Sequence, residues 1–474
     1  MTTQTYPYLV ITDGTTTVTI QDGSGGATNW PLVRDGWAPA IAGLRASPLQ
    51  GLTPYEDVTE QMTIEINGAT AAAALANLVT LRKLLEQAER WYRGENETAV
   101  LVKFCPAGST VSSTAAPLQA AILGGGADAN GPGLRLSPQW DEVSYNYVIR
   151  NVTLSFTRRG LWLHTTTEAN SPAAANNGEL VTFTLTARDV KCPTKLAFTN
   201  FAQGWGAGER FSAPFVLVGD QVSGSAPIAI INAESGAVSA FTSVNPSLNA
   251  RNTNVLRYTP TNTNEQQSNP LSPSLPSTTR LVAIFANVRG STTVTFKMRA
   301  RIDSVIQAQY TPYVVIPTDA NQSSHWIFLG IVPISGAIGN AYLFITADAA
   351  SSSLDIDTLV FADAEAVQVV GCDSADNPSS GGNYFAVVTG TGTIDHRLLT
   401  KPTPSFVDGS TPMLAKGDLA IMTKGSSVYA VLLGAGGGST AAKGYGNFRQ
   451  SDTSDTVLQN TWTATRSTAY LVPQ

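Results

Sequence analysis

The chain has 474 residues, 43% of them hydrophobic and only 14% charged, with a formal net charge of −6. That length is too great for one ordinary core and points to about two to four domains, while the acidic balance argues against the basic face of a nucleic-acid binder. The charged share falls well below the roughly 25% of an average soluble protein; Thr, Ser, Asn, Ala and Gly fill the difference, as on β-rich surfaces of extracellular and virion proteins.

The opening "MTTQTYPYLV" has no basic segment ahead of a long apolar one, so no signal peptide is expected. No apolar run reaches the roughly 18 residues a membrane helix needs, so no membrane insertion is expected either. A surface of extracellular type without an export signal fits a particle made in a host cytoplasm and released by lysis. "YLVITDGTTTVTIQDG" then gives two alternating apolar runs joined through Asp13-Gly14, a hairpin signal. A helix is expected over about 70–93, its stripe built from Leu75, Leu78, Leu81, Leu85, Ala88 and Tyr92, with Thr70 capping its start and Gly94 ending it. Strands follow at 98–104, 117–123 and 147–159. In the last, Val148, Val152, Leu154 and Phe156 share one face, and Asn151, Thr153, Ser155 and Thr157 share a wet one.

Residues 164–178, "HTTTEANSPAAANNG", read as a linker. From 179 to 370 about ten short strands, ending in "LDIDTLVF", suggest two packed antiparallel sheets, a sandwich or jelly roll. The tract 259–279 is its one long, mobile loop. A second loop, 372–383, leads to a last set of strands in which Lys424-Gly425-Ser426 turns a hairpin. The expected fold class is therefore mainly β: an α+β domain at 1–165 with one long helix, a β-sandwich at 179–370 and a small β domain at 383–474.

Chemistry is sparse. Cys105, Cys192 and Cys372 form no CxxC and read as buried thiols, with a pairing of Cys192 and Cys372 left open. Asp355 and Asp357 sit one residue apart, on one face of a strand at roughly 6.5–7 Å spacing. Calcium binding and glycoside hydrolysis are two readings of such a pair. Catalytic carboxylates, however, face each other from different strands. With Leu354, Ile356 and Val360 read as core-facing, the two aspartates fall on the opposite face, solvated or anchoring a loop. His164, His325 and His396 are isolated, no GxSxG elbow or Gly-Lys dipeptide occurs, and Gly204, Gly206 and Gly208 are spaced wrongly for a nucleotide loop. No enzyme, cofactor or metal is expected. Trp205, Tyr258, Tyr310 and Tyr313 lie near loops or strand ends, where aromatic faces stack on sugar rings; packing inside the sandwich is the plainer reading. Trp326, inside "HWIFLGIV", reads as core.

The run from "LRASPLQGLTPYEDVTEQMTIEINGATAAAALANLVTLRKLLEQAERWYRGENETAVLVKF" through "PLQAAILGGG" to "YVIRNVTLSFTRRGLWL" sets strands, a helix and an outlying strand ending in an Arg-Arg-Gly-aromatic corner. This order resembles the N-terminal belt domain of siphovirus-like phage distal tail and baseplate or tail-tip proteins. The following "ARDVKCPTKLAFTN" resembles the strand pair by which such proteins pass into a jelly-roll domain like a carbohydrate-binding module. The resemblance covers about 1–200 and carries no catalytic residue. It implies self-association in a ring, a hexamer favoured and a trimer the alternative, with tail tube and hub proteins as partners and a host surface glycan as ligand of the sandwich. The rival functions are a carbohydrate-binding adhesin with no ring and a glycan-degrading enzyme.

Overall fold

A computed structural model describes residues 2–3, 5–41, 58–92, 98–108, 110–111, 119–124, 135–140, 148–158, 162–173, 175–176, 178–201, 210–244, 254–316, 318, 324–372, 375–376, 384–389, 415–416, 421–437 and 459–470. Strands are numbered below when they have three residues or more. The architecture is mainly β, with one long helix.

The chain opens on the hairpin of β1 (Tyr8–Thr12) and β2 (Thr17–Asp22). Gly14 takes φ +93°, and Asp13 Oδ1 accepts the amides of Thr15 (2.8 Å) and Thr16 (2.6 Å). The local turn chemistry, rather than the strands, thus closes this hairpin. Next come β3 (Leu32–Trp37), β4 (Val58–Asn67), helix α1 (Ala71–Tyr92), β5 (Leu101–Cys105), β6 (Gln119–Gly124), β7 (Arg135–Trp140) and β8 (Val148–Arg158). β8 runs antiparallel to β4 from Val148↔Asn67 to Arg158↔Val58. Thr70 Oγ1 accepts the Ala73 amide (3.1 Å), the expected cap.

The helix buries Ala74, Leu81, Leu84, Leu85, Ala88 and Trp91, whereas Leu75, expected inside, is 46% exposed. The phase is set at the first turn, where a Cβ on Gly68 would lie 2.3 Å from the Ala74 nitrogen. Only a small residue fits that approach, so Ala74 turns inward and Leu75 outward. The side chain of Tyr92 and all of Gly94 lie outside the described residues. Gly68→Ala should push the helix off the sheet and cost about 1–3 kcal/mol, read as a lower urea midpoint with unchanged slope. On β8 the core face is Ile149, Val152, Leu154 and Phe156, not Val148, because a bulge between Ile149 and Val152 shifts the alternation.

Residues 164–178, expected as a linker, are largely strand: β9 (Trp162–Asn170) pairs with β27 (Gln459–Tyr470) from Trp162↔Tyr470 to Asn170↔Ala464. A polar Thr/Glu run has no apolar rhythm, but its backbone pairs as well as any. Next are β10 (Val181–Thr184), β11 (Cys192–Phe201) and β12 (Arg210–Asp220). The returning strands are β23 (Val367–Cys372), β24 (Tyr384–Thr389), β25 (Ile421–Thr423) and β26 (Ser427–Gly437). β27 lies between β9 and β11; β24 and β25 pair with β11; β26 pairs with β10 and β12; β23 pairs with β12. Among the described strands of 384–470, every pairing is thus to a strand that begins before 373.

The Lys424–Ser426 turn is accordingly no hairpin, since its two flanking strands belong to different sheets. Its polar groups find other partners. Asp220 accepts the amides of Lys424 (2.8 Å) and Gly425 (3.2 Å), and Arg466 donates to the Gly425 carbonyl (3.0 Å).

Between β12 and β23 the chain leaves and returns side by side, with Gly219↔Val367 in one sheet and Ile228↔Ala362 in the next. The excursion holds β13 (Ile228–Asn232), β14 (Phe241–Val244), β15 (Val255–Tyr258), β16 (Leu281–Arg289), β17 (Phe296–Ser304), β18 (Ala308–Tyr310), β19 (Val314–Ile316), β20 (Ser324–Pro333), β21 (Ile338–Ala347) and β22 (Leu354–Asp363). One sheet contains β14-β15-β22-β16-β20 with β13 on β22, and the other β21-β17-β18 with β19 on β17. Their inward side chains, among them Tyr258, Ile284, Phe296, Met298, Leu343 and Phe361, form one core. The tract 259–279, expected to be loose, is pinned to it: Leu271 is buried, its amide bonds the Ala341 carbonyl (2.8 Å), and Ser268 Oγ accepts the Leu343 amide (3.0 Å).

Candidate functional site

Tyr258 is fully buried, 4.9 Å from the ring of Phe241 and 6.2 Å from that of Phe296, so it has no face to offer a ligand. Trp205 lies outside the described residues. Trp326 is half-buried, packed where the sandwich meets the sheet of β12 and β26. His396 and the Cys372 side chain also lie outside the description; Cys105 and Cys192 are buried, and the Cys192 thiol donates to the Val190 carbonyl (3.2 Å).

The aspartates are not solvated. Both oxygens of Asp355, 5% exposed, accept from Arg257 Nε (2.7 Å) and Nη2 (2.8 Å), a fork that a cation would have to displace. Asp357 is 1% exposed and accepts the Thr358 hydroxyl (3.2 Å). The two strands change register between Ala286↔Leu359 and Val288↔Ile356, so β22 carries one extra residue there. Past this bulge the faces swap: Leu359 and Phe361 enter the sandwich core, and Val360, expected there, points to the opposite side. Among the described residues no three His, Cys, Asp or Glu side chains gather closely enough for a metal ion.

Tyr310 and Tyr313, by contrast, are brought together. β17 alternates strictly, with Phe296, Met298, Ala300 and Ile302 inward and Lys297, Arg299, Arg301 and Asp303 outward. The Arg299 guanidinium carbon lies 4.6 Å from the ring centroids of both Tyr310 and Tyr313 and 5.4 Å from that of Phe344. Arg301 continues the ladder, 4.9 Å from Tyr342 and 6.0 Å from Tyr310. Each arginine is held by a two-pronged carboxylate, Glu265 on Arg299 (2.9 and 2.9 Å) and Asp303 on Arg301 (2.6 and 2.7 Å), and Tyr313 donates its hydroxyl to Glu265. Guanidiniums on aromatic faces are favourable, and the carboxylates fix their planes. Yet the tyrosines stay 44% and 41% exposed. The ladder therefore offers rigid, partly uncovered rings and no nucleophile. Sequence reading found the two tyrosines and missed Arg299, Arg301 and Glu265, although charges at alternate positions of "FKMRARID" were a visible signal.

Burial, then the hydrogen bond to Glu265 and that carboxylate's charge, push the Tyr313 phenol up to about 12 against the opposing pull of Arg299. A phenol whose folded pKa is raised contributes stability that is complete below its ordinary value near 10 and lost as pH climbs through about 12. Ultraviolet difference titration against Tyr313→Phe should show one tyrosine ionising about two units late; a normal titration at that position would break the Glu265 link.

A second polar cluster is sealed inside the first region. Arg158 and Glu60 are essentially unexposed. Arg158 Nε donates to Glu60 Oε1 (2.7 Å), and its Nη2 donates to the Ala40 carbonyl (2.6 Å). Glu60 also accepts from Trp37 Nε1 (2.9 Å) and the Ala40 amide (2.9 Å), while the guanidinium lies 5.0 Å over the Trp162 ring. Burial lowers the Arg158 pKa, and the Glu60 charge opposes that shift. The cluster is structural: it fastens the segment 37–40 and the end of β8 at Arg158 to one carboxylate on β4.

No family model matches the chain, and no curated protein matches it. Among the solved structures similar to it, three illustrate the likeness. All three are phage proteins. The phage p2 baseplate in its activated conformation with strontium shares 10% identity, with 74% of this chain and 97% of that chain covered, at a TM-score of 0.20. The same baseplate with calcium gives 9%, 74%, 97% and 0.18. The SPP1 Dit protein, described as a hub of the adsorption apparatus in phages infecting Gram-positive hosts, gives 10%, 77%, 98% and 0.17. At TM-scores this low the likeness settles neither fold nor family.

Proposed function

We propose that this chain is a structural component of a phage tail, assembling as a homo-oligomeric ring or adaptor, with a hexamer favoured, at the distal end of the tail tube. The carrying observation is the order of parts in the first region: strands, one helix laid on the sheet, then a long strand closing on β4 and ending at the buried Arg158, whose guanidinium lies over the Trp162 ring. That is the order on which the resemblance to distal tail proteins rests. The outward Leu75 and Val79, four residues apart and 46% and 45% exposed, add an apolar stripe that the chain's own core does not use. In this reading the protein resides in the virion, its partners are tail tube and hub proteins, and it has no catalytic role. The sandwich at 228–363 is a jelly roll inserted into the unit formed by 162–220 and 367–470. Electron microscopy and light scattering over a concentration series test the proposal. Closed rings are expected, and a monomer at every concentration overturns it.

A second reading, contact with a host glycan, draws on the exposed Tyr310 and Tyr313. Binding of the full chain to a glycan array, lost in Tyr310→Ala, is its expected result; silence on every glycan removes it.

A further inference from the structure

The β17–β18 connection is a two-residue turn, Val305-Ile306, closed by the Ser304 amide and hydroxyl on the Gln307 carbonyl (3.1 and 2.8 Å). Two-residue hairpins ordinarily carry Gly, Asn or Asp at positive φ. Here neither residue has positive φ, and both are β-branched and apolar. They are also the two most exposed large apolar side chains among the described residues, at 78% and 75%. Nothing in the turn's own geometry calls for them. A single exposed apolar residue is ordinary, but an adjacent pair at the tip of a rigid hairpin is a preformed knob.

The chain also carries an apolar socket. A half-open cavity of about 440 Å³ lies where the outer face of the sandwich meets β12 and β23. Phe285 and Trp326 are among its lining residues, and Phe328, Ile331 and Val369 stand 49%, 51% and 51% exposed along it. Its lining is overwhelmingly apolar, which disfavours a sugar and suits an aliphatic group. Among the described strands, β20 ends the order of its sheet, and it is bulged between Gly330 and Phe328. Bulged edges resist strand addition, so the partner of this face is a side-chain knob rather than a new strand.

We propose that the Val305–Ile306 knob of one copy seats in the Phe328/Ile331/Val369 socket of the next. Knob and socket are different surfaces, so the contact is head-to-tail, the kind that closes into a ring when the rotation allows. The aliphatic pair matches the socket's chemistry, and its hairpin is tied across its two strands by the register Arg301↔Tyr310 to Asp303↔Ala308, with the Arg301 guanidinium 6.0 Å from the Tyr310 ring. This rests on the ring reading above and adds which surfaces meet.

Native mass spectrometry of the full chain tests it with Val305→Asp/Ile306→Asp (knob-dead) and Phe328→Asp/Ile331→Asp (socket-dead). All four positions are exposed, and unchanged urea midpoints show that the variants fold. Each variant alone should be monomeric at concentrations where the parent is fully assembled. Mixed 1:1 they should form heterodimers and nothing larger, because one good knob meets one good socket and the dimer's outer ends are dead. Rings that survive in the knob-dead variant overturn the knob while leaving the ring reading intact. A parent that is monomeric throughout overturns both. Knob-dead monomers that pair with themselves on mixing, or a socket that takes up a fatty acyl probe while the parent's assembly is unaffected, assign the socket to another ligand and overturn the contact.

Discussion

Deleting the chain from Gln459 onward is expected to unfold the sheets that hold β9 to β12 and β23 to β26 while leaving the sheets of β13 to β22 folded. β27 is an interior strand, bonded on one side to β9 and on the other to β11, so its loss strips the inner edge from both. It also removes Trp462, 1% exposed and 6.3 Å from the Phe183 ring, whose type of loss alone costs about 3–5 kcal/mol. Arg466 goes with it. That buried guanidinium donates to Glu168 (2.8 Å), Thr423 (3.2 Å), the Gly425 carbonyl and the Thr186 carbonyl, and so ties β27 to three other segments, at 168, 186 and 423–425. The sum exceeds much of the 5–15 kcal/mol that stabilises a typical domain. The sandwich core draws on none of these residues. Hydrogen exchange should therefore show amides of 181–220 exchanging as an unfolded chain and those of 281–363 keeping their protection. Protection retained in both would mean that the C-terminal strand is not integral to the sheet.

The contrast between near and far interactions explains what could be read from the sequence. Alternation and turn residues act over a few positions, so the Asp13-Gly14 hairpin, the helix start at Thr70 and the inward face of 296–302 were legible. Phase was lost wherever one backbone irregularity intervened. A bulge near Arg150 exchanged Val148 for Ile149, another near Asp357 turned Val360 to the other buried face of its sheet, and the close approach at Gly68 put Ala74 rather than Leu75 inside at the helix's first turn. Pairings across hundreds of residues left no local trace. The Thr-rich stretch after Trp162 looked like a linker because its partner, 459–470, lies at the other end of the chain. The arginine ladder was half visible for the same reason: Tyr310 and Tyr313 stand out as aromatics near a turn, but Glu265 reaches Arg299 from 34 residues away.

Glu60→Ala is expected to cost about 3–5 kcal/mol, because it leaves the Arg158 charge buried without its counter-charge and orphans the Trp37 Nε1 and Ala40 donors. Arg158→Ala should cost a similar amount for the reciprocal reason, adding the lost contact over Trp162. Arg158→Lys keeps the charge but not the planar fork that reaches both Glu60 and the Ala40 carbonyl, so it should recover only part of the loss. The decisive variant is Glu60→Leu/Arg158→Met. Removing both charges ends the desolvation cost of each, so the double change should be milder than the sum of the single ones, with a coupling of roughly 1–3 kcal/mol in urea unfolding. Simple additivity would mean that the two side chains do not meet. The strand β4, the segment 37–40 and the end of β8 at Arg158 would then need another fastening.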